Sequence, residues 1–229
     1  MSREYPIIAV TGSSGAGTTT VRRSFERMFL REDVHAAVVD GDAFHRYTRD
    51  DLHRIFREEP ERKDELSHFA VEANLLDRLE GLFSEYGEHG SGTFRHYIHA
   101  EDKQKIEAGY RVGTFTEWQS LPCGTDLLFY EGLHGGLVTE EYDIARHVDL
   151  LVGVAPTMNL EWIQKIDRDT KLRGYSQEAV IDTWLLAMIK DSFMTRPHTL
   201  VVPGARMSLA MELILAPLVR HLLAQRRFR

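Results

Sequence analysis

The chain has 229 residues and a net charge of −7, from 35 acidic and 28 basic side chains, with one cysteine, Cys123. That length suits one large α/β domain, and a lone cysteine excludes a disulfide framework. The acidic balance argues against a general nucleic-acid binder, no apolar run approaches the ~18 residues of a membrane span, and the start has no basic-then-apolar leader, so a soluble cytoplasmic protein engaging neither nucleic acid nor membrane is predicted.

Short apolar runs alternate with helical patterns, the signature of a mainly parallel α/β sheet flanked by helices. Residues 5–11 read as the first strand. Residues 18–31 read as its helix, with Val21, Phe25, Met28 and Phe29 on one stripe. A second strand spans 35–39 and ends at Asp40-Gly41-Asp42. A long helical pattern covers 66–86. Residues 87–122 are rich in Gly, His, Thr and aromatics and show little periodicity; they read as long active-site loops, with a short strand at 95–99. Apolar strands follow at 127–130, before Glu131-Gly132, and at 150–154, before Pro156. Helices are predicted at 159–172 and 177–191, a last strand at 199–202, and a closing helix at 208–226 capped by Ser208. With no linker or repeat, a single domain over 1–229 is expected.

Between the first strand and its helix lies Gly12-Ser13-Ser14-Gly15-Ala16-Gly17-Thr18-Thr19-Thr20. The spacing is that of the Walker A phosphate loop, with Thr18 where a lysine is usual. Glycines let successive N–H groups point at one anion, and the following helix adds its dipole. Thr19 sits where such loops place a Mg²⁺ ligand, so ATP and Mg²⁺ are the implied cofactors.

Ligands of open parallel sheets bind beyond the carboxyl ends of the strands. Asp42 and Glu131 lie at two such ends. A hydroxyl attacking a γ-phosphate needs a carboxylate to accept its proton, and Mg²⁺ takes one or two carboxylates plus phosphates. Asp42 as base and Glu131 on the metal divide those jobs. His45, Arg46 and Arg49 follow within one or two helical turns and could hold a second phosphate, although Arg46 reads equally as a solvated charge.

Steps of three and four put Lys165, Arg168, Asp169 and Arg173 on one face of the 159–172 helix, with Leu160 and Ile163 opposite and free to face the core. A solvated salt-bridge ladder would have the same spacing. Losing one preorganised electrostatic group costs ~2.7–4 kcal/mol of barrier. A kinase without the loop lysine must recover that, and this stripe is the dense cationic cluster after the loop. Lys165 is the first candidate.

Taken together, Gly12 to Thr20 (GSSGAGTTT), Asp40 to Arg46 (DGDAFHR), Leu128 to Gly135 (LFYEGLHG), Asn159 to Gly174 (NLEWIQK…RD…RG) and Leu200 to Leu215 (LVVPG…LAMELIL) resemble bacterial-type phosphoribulokinases. That family also carries threonine at the lysine position. The resemblance implies a P-loop NTPase-like fold and ATP-dependent phosphorylation of the C1 hydroxyl of D-ribulose 5-phosphate. By position, Asp42 matches the catalytic base, and His45 and Arg49 match sugar-phosphate contacts. Lys165, Arg168, Asp169 and Arg173 match functional residues of the later helix. Tyr97 matches a substrate-side loop tyrosine, and Arg31 an arginine linked to effector response. Ala16 stands where plant-type members carry a redox cysteine. Family members form homo-oligomers, and some respond to NADH and AMP. They also carry several dozen further residues where Asp182-Thr183 here runs into Trp184. Two other readings fit the same residues: a kinase of another small sugar phosphate or hydroxyl metabolite, and a non-catalytic ATP-binding relative. The cations at His45 and Arg49 favour a phosphorylated substrate.

Overall fold

A computed structural model of the chain describes residues 4–12, 16–64, 66–67, 70–155, 158–171, 174, 176–177, 180, 199–203, 216–221 and 223–224. The framework is a parallel five-stranded sheet ordered β2-β5-β1-β6-β7, built from β1 (Ile7–Gly12), β2 (Ala36–Asp40), β5 (Leu127–Glu131), β6 (Leu150–Ala155) and β7 (Thr199–Pro203). The central strands are apolar throughout because both faces are covered. Alternation along β1 sends Ile7 and Ala9 to one core and Ile8 and Val10 to the other.

On one face α1 (Thr18–Arg31) buries its whole predicted stripe, Val21, Phe25, Met28 and Phe29, against Phe129, Val152 and Val154. Ala216 and Val219 from the C-terminal helical segment join that core. On the other face α3 (Leu76–His89) packs Leu79, Phe83 and Tyr86 on Ala37, Leu128 and Tyr130. Among the described residues no helix is long and apolar enough to cross a membrane.

Several predicted boundaries are corrected. The helix predicted over 66–86 begins only at Leu76, after a 3-10 turn over Val71–Ala73. The backbone there is drawn aside by the segment after β2: Leu75 N–H donates to Phe44 O at 2.7 Å and Arg46 N–H to Ala73 O at 2.8 Å. Helical turns do not run on from Asp42 through Arg49 either. A 3-10 turn covers Gly41–Phe44, the chain breaks at His45, and α2 (Arg49–Glu58) starts afresh on a Thr48/Asp51 capping box. The 95–99 strand is displaced: β3 (Thr93–Phe94) pairs antiparallel with β4 (Gln119–Ser120), and the ladder continues only as a Tyr97–Phe115 bridge. Between those arms sits α4 (Lys103–Glu107), which the weak periodicity concealed. The phosphate-loop-to-helix boundary, β1, β2, β5, β6, β7 and α5 (Met158–Lys171) fall within two residues of their predicted places. Most of the 177–191 helix, residues 208–215 with Ser208, and the Thr183–Trp184 junction lie outside the described residues, while 216–221 of the predicted closing helix are helical.

Candidate active site

Strand order reverses direction at β1: the chain leaves toward β2 and β5 on one side, then continues to β6 and β7 on the other. The crevice beyond that switch point is where open α/β sheets bind ligands. Gly12 ends β1 there, beside Val154. A Cβ on Gly12 would lie 2.8 Å from the Val154 carbonyl oxygen and 2.9 Å from the Thr18 methyl, so only glycine allows this approach. Gly17 caps α1 with φ of 98°, the left-handed region glycine tolerates, and turns the chain into the helix. Thr20 N–H donates back to Gly17 O at 2.9 Å. Ala16 is buried, Thr18 half-buried, and Thr19 and Thr20 exposed. Ser13, Ser14 and Gly15 lie outside the described residues. The Thr18 side chain, in the usual lysine position, hydrogen-bonds Glu131.

The ends of β2 and β5 are pressed together by two glycines. Cβ atoms at Gly41 or Gly132 would each lie 2.6 Å from the Tyr130 hydroxyl and nearly as close to the other glycine's Cα. Register sets Asp40 against Glu131, so the Asp40-Gly41-Asp42 and Glu131-Gly132 punctuation delivers three carboxylates to one edge. Burial raises Glu131 to about 7, Asp40 adds to that shift, and the Thr18 hydrogen bond opposes it. Burial likewise raises Asp40, with Asp42 contributing. Arg22, one turn along α1 from Thr18, reaches this edge: its guanidinium lies 3.7 Å from Asp40 and 3.9 Å from Glu131 and also holds Glu26 at 2.8 Å.

Asp42 has the opposite environment. His45 Nε2 approaches one carboxylate oxygen at 3.2 Å and His99 Nε2 the other at 3.1 Å. Burial by itself would raise this carboxyl, but the two imidazoles outweigh it and hold Asp42 well below the usual carboxylate range. The side chain is nevertheless 37% exposed, hence within reach of a substrate. Its backbone is fixed as well, since Asp42 N–H donates to Asp40 Oδ1 at 3.0 Å. Tyr97 stands edge-on to both imidazoles, its ring 5.8 Å from His45 and 5.0 Å from His99. Arg95 ties the arm to the turn, donating to Ala43 O at 2.9 Å and His45 O at 2.6 Å while its guanidinium stacks 3.6 Å over Phe115.

Arg49 opens α2, half-buried, its N–H donating to Gly113 O at 2.9 Å. Arg46 spends its guanidinium on the carbonyls of Glu72 and Asn74, a structural tie rather than a free cation. On α5, Lys165 and Asp169 are buried and paired at 3.0 Å, and Arg168 Nε reaches the second Asp169 oxygen at 2.7 Å. Burial would raise Asp169, but the two cations keep it low. The expectation that Ile163 faces the core is overturned: it is 58% exposed, while Lys165 and Asp169 are the residues turned inward. A neutralising pair can be buried where a lone charge could not. The Leu160 side chain and Arg173 lie outside the described residues. Arg31 is exposed at the far end of α1, about 20 Å along the helix from the loop, beside the Glu32–Arg220 ion pair.

Of the residues singled out in the sequence, the structure gathers Asp42, Glu131, His45 and Tyr97 at this edge, together with Asp40, Arg22, Asn74, Arg95 and His99, which were not singled out there. Arg22 had a signal, since it lies one helical turn after the vacant lysine position.

A glycine-built loop at the switch point of an open parallel sheet, facing strand-end carboxylates, defines the class as a P-loop kinase. A sequence profile of the phosphoribulokinase/uridine kinase family matches residues 7–197. The chromosomal phosphoribulokinase of Cupriavidus necator is 42% identical over 290 aligned positions that cover 99% of both chains. The phosphoribulokinase of Nitrobacter vulgaris is 40% identical over 289 positions, again 99% of each. The solved phosphoribulokinase from Rhodobacter spheroides superposes with a TM-score of 0.76 at 35% identity, covering 98% of this chain and 99% of that one. The chain belongs to the phosphoribulokinase/uridine kinase family, and ATP use comes with membership in it. Alignments of 290 positions against 229 residues agree with the expectation that the relatives carry an internal stretch this chain lacks.

Proposed function

We propose that the chain transfers the γ-phosphoryl group of ATP to the C1 hydroxyl of D-ribulose 5-phosphate, giving ribulose 1,5-bisphosphate and ADP. The carrying observation is Asp42: a carboxylate held ionised between two imidazoles, yet open to a ligand, at the sheet edge that carries the phosphate loop. Asp42 accepts the hydroxyl proton as the oxygen–phosphorus bond forms and the bond to the β-phosphate oxygen breaks. The loop from Gly12 to Thr20 holds the ATP phosphates through backbone N–H groups and the α1 dipole.

The charge balance supports a divalent cation at this edge. Glu131 is half-buried beside Asp40, with Arg22 too distant to neutralise both. Among the described residues no three His, Cys, Asp or Glu side chains form a closed cage, which suits Mg²⁺ because it usually takes one or two carboxylates and fills its shell with phosphate and water. Glu131 and Thr19 would hold it, and when bound it neutralises charge on the β- and γ-phosphates. Lys165 supplies the cation that Thr18 does not, with Asp169 orienting it. Arg49, Tyr97, Arg168 and Arg173 bind the sugar phosphate, and His45 contributes its charge beside them while both of its ring nitrogens stay on Asp42 and Asn74. One core runs from Ile7 to Leu151 and the other from Ile8 to Val219, on the two faces of the same sheet, which supports a single domain.

A substrate panel tests this reading. ADP release is expected with ribulose 5-phosphate and Mg²⁺-ATP, and at least about 100-fold less with uridine, because an uncharged substrate brings no phosphate for the basic groups to recognise. Equal or faster turnover of uridine would replace the substrate assignment.

A further inference from the structure

Asn74 follows the 3-10 turn Val71–Ala73, lies only 2% exposed, and is in none of the family motifs quoted above. Its side chain is pinned at both ends. Nδ2 donates to Ala70 O at 2.8 Å, and Oδ1 lies 2.9 Å from His45 Nδ1. Reversing the amide would set Oδ1 against the Ala70 carbonyl oxygen, acceptor against acceptor, and NH₂ against the ring nitrogen. The observed orientation is therefore fixed by the backbone, and Oδ1 can only accept.

That fixes the imidazole in turn. Nδ1 must carry a proton to donate to Asn74. The other nitrogen, Nε2, faces an Asp42 oxygen at 3.2 Å, and a carboxylate only accepts. In a neutral ring with the proton on Nδ1, Nε2 would point a lone pair at that carboxylate. Only the doubly protonated ring satisfies both neighbours. Backbone pairing keeps the parts in register: His45 and Asn74 form an antiparallel bridge, and Arg46 and Leu75 N–H close it on either side.

We propose that Asn74 is a positioning residue that locks His45 as an imidazolium donating from both ring nitrogens, and so keeps a fixed cation against the Asp42 carboxylate. The catalytic consequence rests on the reading of Asp42 as base; the charge state of His45 does not. The groups facing the ring are Asp40 from the end of β2, Asp42 from the 3-10 turn after it, Asn74 from its turn, and Tyr97 and His99 from the β3 arm, while Arg95 holds the His45 carbonyl. Burial works against the charged ring, but Asp42 and then Asn74 overcome it, and the net direction for His45 is upward.

The test is long-range ¹H–¹⁵N NMR of the histidine rings in the full chain without ligands, with His45 assigned through His45→Gln. Wild type is expected to show both His45 nitrogens protonated at pH 7, above the ~6.5 midpoint of a free imidazole. Asn74→Leu should lower the midpoint by about one unit or more, and should move the acid limb of kcat/KM upward as Asp42 loses its cation. Asn74→Asp keeps the acceptor and should leave His45 charged, which a purely structural role at the Ala70 end would not predict. A wild-type ring with one bare nitrogen at pH 7 overturns the proposal and needs no variant; so does an unchanged midpoint in folded Asn74→Leu. A charged His45 in a chain that phosphorylates no sugar phosphate would instead sink the functional reading and leave this inference standing.

Discussion

Asp42 and Glu131 stand at the ends of neighbouring strands on one sheet edge, yet their surroundings push them in opposite directions. Asp42 sits between two imidazoles and is held well below the ordinary carboxylate range. Glu131 is half-buried beside Asp40, with a hydroxyl and a distant guanidinium for company, and is raised to about 7. Two carboxylates brought together by the same Gly41–Gly132 contact thus have separate chemistry. On the proposed reading, Asp42, already ionised, takes the hydroxyl proton, and Glu131, which holds its own proton until a cation arrives, is the metal-side group. Environments that push two titratable groups apart in this way mark their division of labour.

The largest break in that comparison is Asp42→Asn. It removes the acceptor and leaves the fold's glycine contacts alone, so kcat is expected to fall by ~10²–10⁴ with ATP affinity retained, read by coupled ADP release and nucleotide titration. Next is Lys165→Met, expected to lower kcat by ~10²–10³ because it removes a preorganised cation; unchanged turnover would mean that the missing loop lysine is not replaced from α5.

Glu131 gives a pH signature. The folded chain holds this proton up to about pH 7, whereas the unfolded chain releases it near 4.5. The folded state therefore binds more protons between those values, and metal-free stability falls as pH rises through that window. Glu131→Gln should flatten that slope in urea unfolding measured at pH 5 and pH 7.5. Asp42 contributes with the opposite sign: its folded value is depressed, so its stabilisation is present above ~4 and lost as pH falls. The smallest effect is expected at Arg22. Its contacts to Asp40 and Glu131 are long and it remains partly exposed, so a pair of this kind contributes about 1 kcal/mol or less. Arg22→Met should change the KM for ATP by no more than about fivefold.

The two carboxylates differ in how visible they are in the sequence. Strand ends punctuated by Asp40-Gly41-Asp42 and Glu131-Gly132 identify both, and the stripe on α1 fixes the helix behind the loop. The groups that tune Asp42 are another matter. Asn74 lies 29 residues from His45, and His99 comes from an arm with little periodicity; each reaches Asp42 or its partner only through tertiary pairing. The Thr48–Asp51 capping box, by contrast, is a local signal that marks where α2 restarts, and reading helical turns straight through from Asp42 missed it. Helix α5 misleads for a physical reason. Amphipathic logic turns Ile163 inward, but Lys165 and Asp169 neutralise each other and take the buried face.

The division between the two carboxylates can be measured directly by ¹³C NMR of carboxyl-labelled Asp and Glu side chains in the metal-free chain, titrated from pH 3 to pH 8. Asp42 is expected to stay ionised down through pH 4, while Glu131 takes up its proton near pH 7. If Asp42 titrates at or above Glu131, the assignment of base and metal-side carboxylate is contradicted.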